Sequence, residues 1–227
     1  MTVAVPRTDV LHDAVRAARP VAAEHADAVD RGARFPHEAI AVLRDSGALS
    51  ALVPATLGGP GASVSEIAHA CTAIARSCSA TGMVFAMHAI QVATLVRHGA
   101  AAPFFADHLA GLVATPRLLA SVTSEIGTGG DMGRSVAALS PVGPESLAFS
   151  KSAPTVSYGA QADDLVTTVR RDESAAPGDQ VLVLTQTGQH VLEPMGTWDS
   201  LGMRGTCSPG FRIRAELPAE QVLPVPF

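Results

Sequence analysis

Hydrophobic residues in the first half of the chain recur at helical spacing, in stretches separated by short breakers. From Thr8 to about Ala114, apolar positions repeat every three to four residues. This pattern predicts a bundle of four or five helices. Residues suited to helix ends support it: Thr8 and Ser63 as N-caps, Pro36 in a first turn, and Gly47 and Gly99 where helices stop.

The second half of the chain has a different pattern. From about Arg117, short segments rich in β-branched residues alternate with Gly, Pro, Asp and Ser clusters; they are LLASVTS, DDLVTTVRR, QVLVLTQT and GFRIRAELP. No stretch between them is long enough for helical crossovers, so the strands should be mainly antiparallel, with SAAPGD (174–179) as a hairpin loop. The predicted fold class is α+β. A helical domain over residues 1–116 precedes a β-barrel or sandwich domain over residues 117–227.

Composition excludes several classes of function. Only 16% of the 227 residues are charged, and the net charge of −5 contains no run of like charges, so nucleic acid is not an expected partner. No apolar run reaches the length of a membrane span, and the first ten residues lack the layout of a secretion signal, which together predict a cytoplasmic protein. The cysteines have no metal or redox spacing, so we expect reduced thiols and no metal site: Cys71, Cys78 and Cys207.

Lys151 is the only lysine among 16 basic residues, a bias that we attribute to codon usage. In the apolar segment GMVFAMHAIQVATLVRHG, His88 and Gln91 lie three residues apart on one predicted helix face. Two interpretations of His88 stay open. The imidazole either bonds a backbone carbonyl or contacts a substrate in a cavity of the bundle.

The segment TSEIGTGGDMG, residues 123–133, follows a predicted strand and contains several glycines. Glycines let a backbone pass close to a ligand, and successive N–H groups can bind an anion. The segment is neither a Walker loop nor a dinucleotide fingerprint, since no Gly-Lys-Ser/Thr and no βαβ unit follows. A plain β-turn would explain it equally well.

Taken in order, three segments resemble motifs of the acyl-CoA dehydrogenase family. Residues 124–131 (SEIGTGGD) resemble Thr-Glu-Pro-x-x-Gly-Ser-Asp. Residues 151–156 (KSAPTV) resemble Lys-x-x-Ile-Thr-Asn and are followed by Ala162-Asp163. Residues 202–206 (GMRGT) resemble Gly-x-Arg-Gly-Ser. The resemblance extends over the whole chain, with the motifs in the family's order.

The resemblance implies a flavin site, with FAD as the cofactor. Thr123 and Ser124 would face the pyrimidine side of the flavin ring, and Thr155 would donate toward N5. Gly129 and Gly130 would lie near the cofactor phosphates. Fixed donors at these places would orient the ring and tune its potential. For the substrate, an acyl-CoA or other acyl thioester, the resemblance implies a contact by Gly130, and His88 is a second candidate contact because of its place on the predicted helix.

Several positions depart from the family pattern. Ile126 replaces a proline, Gly130 a serine, Ala153 an aromatic residue that packs on the flavin, and Val156 an asparagine. Tyr158, the sole tyrosine, is a candidate to replace the missing aromatic ring.

In the family the catalytic base is a carboxylate on a C-terminal helical domain, which has no counterpart in this sequence. The resemblance therefore assigns no catalytic residue here. We expect Glu125 to brace its loop and Asp131 to cap a turn.

The leading hypothesis is a subunit of a split acyl-CoA dehydrogenase-like enzyme, active only in a hetero-oligomer. A second polypeptide would supply the C-terminal helices, the base and much of the flavin contact. One alternative is a non-catalytic structural or regulatory subunit of such a complex. Another is a flavin monooxygenase of the same fold that uses His88 near flavin C4a. The sequence is also compatible with a piece of a longer protein.

Overall fold

The computed structural model describes residues 9–225, so Thr8, expected as a helix cap, lies outside the described residues. Within them the chain forms two compact units. The helical unit contains residues 9–118 and 199–207, and the β unit contains residues 119–198 and 208–225. The domain boundary at residues 116 and 117 stays a prediction. The segment 199–207, which that division assigns to the β domain, lies with the helices.

Five α-helices make up most of the helical unit: α1 (Asp9–Arg31), α2 (His37–Asp45), α3 (Val64–Ala75), α4 (Ser79–His98) and α5 (Pro103–Ala114). The predicted Ser63 cap is confirmed as a capping box, in which the Ser63 hydroxyl accepts from the Glu66 N–H and the Glu66 carboxylate accepts from the Ser63 N–H. The predicted stops are also confirmed, since Gly47 follows the end of α2 and Gly99 caps α4.

Helix α4 is the central apolar element of the helical unit. By length and composition alone it could cross a membrane, which differs from the expectation of no membrane span. However, 56% of its apolar window is buried, including Phe85, Val92 and the polar side chain of His88. This burial is typical of a core helix in a folded unit.

The third family-like motif, residues 202–206, ends in a short 3₁₀ turn (Arg204–Thr206) that packs on the helices. Gly205 lies so close to α1 and α4 that an added Cβ would be 2.3 Å from Val29 Cγ1 and 2.9 Å from Ala80 Cβ. Such distances leave no room for a side chain. The glycine is therefore a packing requirement of the helical unit.

The β unit contains two sheets, formed by seven strands: β1 (Leu119–Val122), β2 (Ser140–Pro141), β3 (Ser146–Ala153), β4 (Asp164–Arg170), β5 (Gln180–Gln186), β6 (His190–Met195) and β7 (Gly210–Pro218). The first sheet has the order β1-β4-β5 and the second β2-β3-β7-β6. All pairs are antiparallel except β1 with β4, which is parallel.

The predicted α+β class is confirmed, as is the hairpin between β4 and β5 that contains SAAPGD. The two sheets do not close into a barrel within residues 9–225. Three strands were not predicted, namely β2, β3 and β6. β3 and β6 lie in polar or proline-containing sequence, and β2 has only two residues, so none shows a strong β pattern.

Replacing Gly205 with Ala should lower the free energy of unfolding by about 1–3 kcal/mol, because the methyl group overpacks the contact with α1 and α4. The matched control is Gly202→Ala in the same motif, where an added Cβ meets nothing within 4 Å. We expect this control to change stability by less than about 0.5 kcal/mol. Urea unfolding monitored by circular dichroism measures both. Equal losses in the two variants would contradict the close-packing role.

Candidate functional site

The loop after β1 and the segment after β3 meet at one edge of the β unit. The Ser124 hydroxyl donates to the Thr155 carbonyl at 2.7 Å, and the Ile126 N–H donates to the Ser152 carbonyl at 2.9 Å. These bonds join the first and second family-like motifs directly. Of the predicted flavin-contacting residues, Thr123, Ser124 and Thr155 thus lie close together.

The hydroxyls at this edge differ in what they can still bind. Thr155 is exposed and Thr123 half-buried, and neither hydroxyl has a hydrogen-bond partner within residues 9–225. The Ser124 hydroxyl already donates to Thr155, so it braces the two segments and keeps only acceptor capacity. Thr123 and Thr155 are the hydroxyl groups here that can donate to a ligand.

The glycines of the loop keep it open. Gly127, Gly129 and Gly130 all have positive φ, and an added Cβ at Gly129 or Gly130 would meet nothing within 4 Å. A ligand can therefore approach this backbone closely. The free space and the hydroxyls fit a flat, polar cofactor.

A buried ion pair lies directly behind this edge. Lys151 on β3 and Glu125 in the loop are 3.3 Å apart (Nζ to Oε2), with 0% and 4% of their side chains exposed. The Lys151 ammonium also donates to the Thr168 carbonyl at 2.7 Å and contacts the Thr123 carbonyl at 3.4 Å. One ammonium thus connects β3, β4 and the start of the loop.

Glu125 also shapes the loop through backbone hydrogen bonds. Its carboxylate accepts the backbone N–H groups of Val136 at 3.0 Å and Ala137 at 2.6 Å. The expectation that Glu125 braces the loop is confirmed. Asp131 has the expected turn role as well, since its Oδ1 accepts from the Gly133 N–H at 2.9 Å.

Burial lowers the pKa of Lys151, and the neighbouring Glu125 carboxylate opposes that shift. Sequence reasoning missed this lysine, which was attributed to codon usage. Strand alternation contains the relevant signal, because Lys151 lies between Phe149 and Ala153 on the face of β3 that is buried. A lysine on such a face must find an anion, and the loop carboxylate provides it.

The suggestion that Tyr158 replaces the missing aromatic ring is wrong. Its side chain is 0% exposed and its hydroxyl donates to the Leu119 carbonyl at 2.9 Å, so the ring belongs to the core of the β unit. The same burial raises its pKa. Ala153 and Val156 also lie in this core, at 0% and 1% exposure. These three positions offer no surface to a cofactor.

His88 lies in the helical unit at 1% exposure, with Nε2 2.8 Å from the Leu49 carbonyl. Of the two interpretations of His88, the structure therefore supports the one in which the imidazole bonds a backbone carbonyl. The geometry gives no support to His88 as a substrate contact, which stays a prediction, as does the contact by Gly130.

No group of three metal-binding side chains occurs within residues 9–225. Burial raises the pKa of the Cys71 thiol to about 11.

Comparison with known proteins identifies the fold. The sequence model of the acyl-CoA dehydrogenase N-terminal domain family matches residues 8–103. No protein of curated function matches the chain in sequence. The resemblance to the acyl-CoA dehydrogenase family is confirmed by this match, which includes none of the three motifs, and by the solved structures that share the fold.

Three solved structures represent this similarity. KijD3, in complex with FMN and dTDP-3-amino-2,3,6-trideoxy-4-keto-3-methyl-D-glucose, is 26% identical with a TM-score of 0.81, over 96% of this chain and 54% of that chain. FMN-bound TdsC from Paenibacillus sp. A11-2 is 22% identical, with a TM-score of 0.80 over 97% and 54%. The nitrososynthase from Micromonospora carbonacea var. africana is 20% identical, with a TM-score of 0.79 over 98% and 57%. The chain thus spans about half the length of these proteins.

Replacing Lys151 with Met should lower the free energy of unfolding by about 3–5 kcal/mol, since it leaves the Glu125 carboxylate buried without its cation. The double variant Lys151→Met/Glu125→Gln removes that charge and keeps one side-chain oxygen, which can still accept from the Ala137 N–H. It should therefore be more stable than the single variant. Urea unfolding of both variants gives the comparison. A double variant that loses more stability than Lys151→Met would contradict a coupled pair.

Proposed function

We propose that this chain is the helical and β portion of a flavin-dependent oxidoreductase. The carrying observation is the edge where Thr123, Ser124 and Thr155 meet, backed by the buried Lys151–Glu125 pair. Oriented hydroxyls on a rigid backing are what a flavin ring requires of its protein. The fold supports the same proposal, because KijD3 and TdsC, which share it, were solved with FMN.

A bound flavin would supply a two-electron acceptor at N5. Thr155 would donate its free hydroxyl toward that side of the ring, and Thr123 toward the pyrimidine side. Ser124 would hold the two segments together through its bond to Thr155. Gly129 and Gly130 would leave room for the rest of the cofactor. The motif resemblance implies FAD, whereas the similar structures contain FMN, so both flavins belong in the first titration.

For the reaction, we propose α,β-dehydrogenation of an acyl thioester. The base that removes the α-proton would come from a C-terminal helical domain on a second polypeptide, which the loop carboxylates do not replace. Glu125 is 7% exposed and committed to Lys151 and two N–H groups, and Asp131 is committed to its turn. This chain would orient the flavin, and the partner would deprotonate the substrate.

The second candidate is oxygen transfer, because TdsC is described as a dibenzothiophene monooxygenase and shares the fold over 97% of this chain. In that case the edge would hold the same flavin, and the site would exclude water from it. His88 is a weak choice for a group near flavin C4a, since its Nε2 is bonded to the Leu49 carbonyl.

A groove of about 350 Å³ on the helical unit is our proposed contact for the helical partner. Every side chain that lines it is apolar apart from the Cys71 thiol, and Val64 and Ile90 at its sides are 69% and 59% exposed. Exposed apolar surface of this kind is typical of an interaction site. The lining residues are Leu52, Val64, Ile67, Ala68, Cys71, Ala86, Ala89, Ile90 and Ala93.

The experiment is a spectral titration of FAD and FMN with the chain alone and with a separately expressed C-terminal helical domain. We expect a yellow complex that bleaches anaerobically when an acyl-CoA is added. Rapid reoxidation by oxygen with an oxygenated product would favour the monooxygenase. If the protein is colourless with both flavins after unbound flavin has been removed, that result would contradict the enzyme proposals and favour a structural subunit.

Two pairs of variants serve as controls for that titration. Thr155→Val should weaken flavin binding by about three- to tenfold through the loss of one donor, whereas Thr187→Val, whose hydroxyl donates to the Asp163 carbonyl, should not. Ile90→Asp should abolish the effect that the helical partner has on flavin binding. Val142→Asp, at a similarly exposed position of the β unit, should leave that effect unchanged.

A further inference from the structure

Helix α1 has one face in the core of the helical unit and one face exposed. Its apolar face includes Leu11, Ala18 and Val29, each at most 1% exposed. On the opposite face, exposed residues recur every three or four positions, so they form one continuous stripe along the helix. The stripe consists of His12, Arg16, Arg19, Ala23, Asp27 and Asp30.

The charges are separated along this stripe. Arg16 and Arg19 lie in its first half, and Asp27 and Asp30 lie in its second half, close to the end of α1 at Arg31. Aspartates near a helix C-terminus oppose the helix dipole, so the stability of the isolated helix does not explain their place. A surface with one basic half and one acidic half is complementary to an inverted copy of itself.

Local ion pairs do not use up these charges. Arg16 contacts Asp13 at 2.8 Å and Arg31 contacts Asp27, but the two arginine side chains are 80% and 77% exposed. Exposed pairs of this kind contribute little and exchange partners readily. The side chains of Arg19, Glu24 and Asp30 have no hydrogen bond or ion pair in the part of the chain that the structure describes.

The spacing of the stripe fits an antiparallel pair of α1 helices. A twofold axis between residues 21 and 22 places Arg16 opposite Asp27 of the second copy and Arg19 opposite its Glu24. Each contact then occurs twice, as in any isologous interface. A parallel arrangement would instead place like charges opposite each other.

The middle of the stripe has no large side chain. Pro20 and Ala23 lie beside the axis and are both exposed. Small residues at the crossing point let two helix axes approach to about 8–10 Å. The oppositely charged side chains on either side of the axis can then reach each other.

A groove of about 520 Å³ follows the basic half of the stripe, between α1 and the turn that connects α3 to α4. Its lining contains two arginines and no carboxylate, so it favours negatively charged side chains. The acidic half of a second α1 helix supplies such side chains. The lining residues are His12, Val15, Arg16, Arg19, Pro20, Ala23 and Ser77.

We propose that the exposed face of α1 is an interface between two copies of this chain, in which the basic half of one helix pairs with the acidic half of the other. The interface shares no residue with the apolar groove between α3 and α4. Because a single helix of 23 residues is only about 35 Å long, the interface is small and the association is weak and reversible.

The first test is sedimentation equilibrium of the wild-type chain over a range of concentrations up to about 200 µM, which suits a weak dimer. We expect a monomer–dimer equilibrium that weakens at least about tenfold when NaCl is raised from about 50 mM to about 500 mM. Ile90→Asp, which disrupts the apolar groove, should leave this equilibrium unchanged. A monomer at every concentration, or a dimer that is insensitive to salt and lost in Ile90→Asp, would overturn the interface.

The second test exchanges the charges. Arg16→Glu/Arg19→Glu makes the stripe acidic throughout, and Asp27→Arg/Asp30→Arg makes it basic throughout. Each variant alone should dimerise at least about tenfold more weakly than the wild type, because like charges now face each other. An equimolar mixture of the two variants should restore the dimer, since every pair is again of opposite charge. Dimers in the unmixed variants, or no dimer in the mixture, would contradict antiparallel pairing through α1.

Two charge reversals elsewhere on the helical unit are the matched controls. Arg97→Glu on α4 and Asp107→Arg on α5 change equally exposed charges outside the stripe, so we expect neither to alter dimerisation. Circular dichroism verifies that every variant has the wild-type helix content. A loss of dimer in these controls equal to that in the α1 variants would show a general effect of charge and overturn the interface. These measurements need no flavin, so their outcome is independent of the proposed function.

Discussion

The buried ion pair of Lys151 and Glu125 is the interaction on which the candidate site depends. Taking both charges out of water is costly, and the cost is recovered only when every remaining donor and acceptor is satisfied. Here the ammonium is shared with the Thr168 and Thr123 carbonyls, and the carboxylate with two backbone N–H groups. The pair fixes the start and the end of the loop relative to β3 and β4.

In this arrangement the groups that hold the loop in place differ from the groups that can bind a cofactor. The charged groups of the loop face inward and hold the backbone, while the free hydroxyls of Thr123 and Thr155 remain available at the edge. A fixed set of donors can orient a cofactor without reorganisation during the reaction. This loop has no carboxylate left for proton abstraction, so the proposed dehydrogenation needs a base from outside the loop. This division of roles would be the same for the proposed dehydrogenation and for oxygen transfer.

Much of the fold was predictable because it depends on local sequence. The capping residue Ser63 and the stops at Gly47 and Gly99 act within one helical turn, so the pattern alone locates them. The meeting of Ser124 with Thr155 followed from the resemblance of two motifs, since nothing local connects residues 31 positions apart. The close packing of Gly205 on α1 and α4 depends on tertiary contacts that no local pattern contains.

The errors have a common physical origin. Tyr158 was expected at the cofactor because aromatic rings pack on flavins, but its apolar ring and bonded hydroxyl are better satisfied in the core. Lys151 was attributed to codon usage, whereas it lies on the buried face of a strand, where a lysine requires an anionic partner. Its partner Glu125 is 26 residues away in sequence, so the pair becomes visible only when β3 and the loop are folded together.

The most direct test of the central claim is the affinity of the chain for FAD and FMN after the ion pair is removed. The Lys151→Met/Glu125→Gln variant, shown to be folded by circular dichroism, is titrated beside the wild type in the presence of the helical partner. We expect the wild type to bind flavin and the variant to bind it at least about tenfold more weakly, because the loop that presents Thr123 is no longer fixed. Equal affinity would contradict the claim that the pair supports the site, and no flavin binding by the wild type would contradict the site itself.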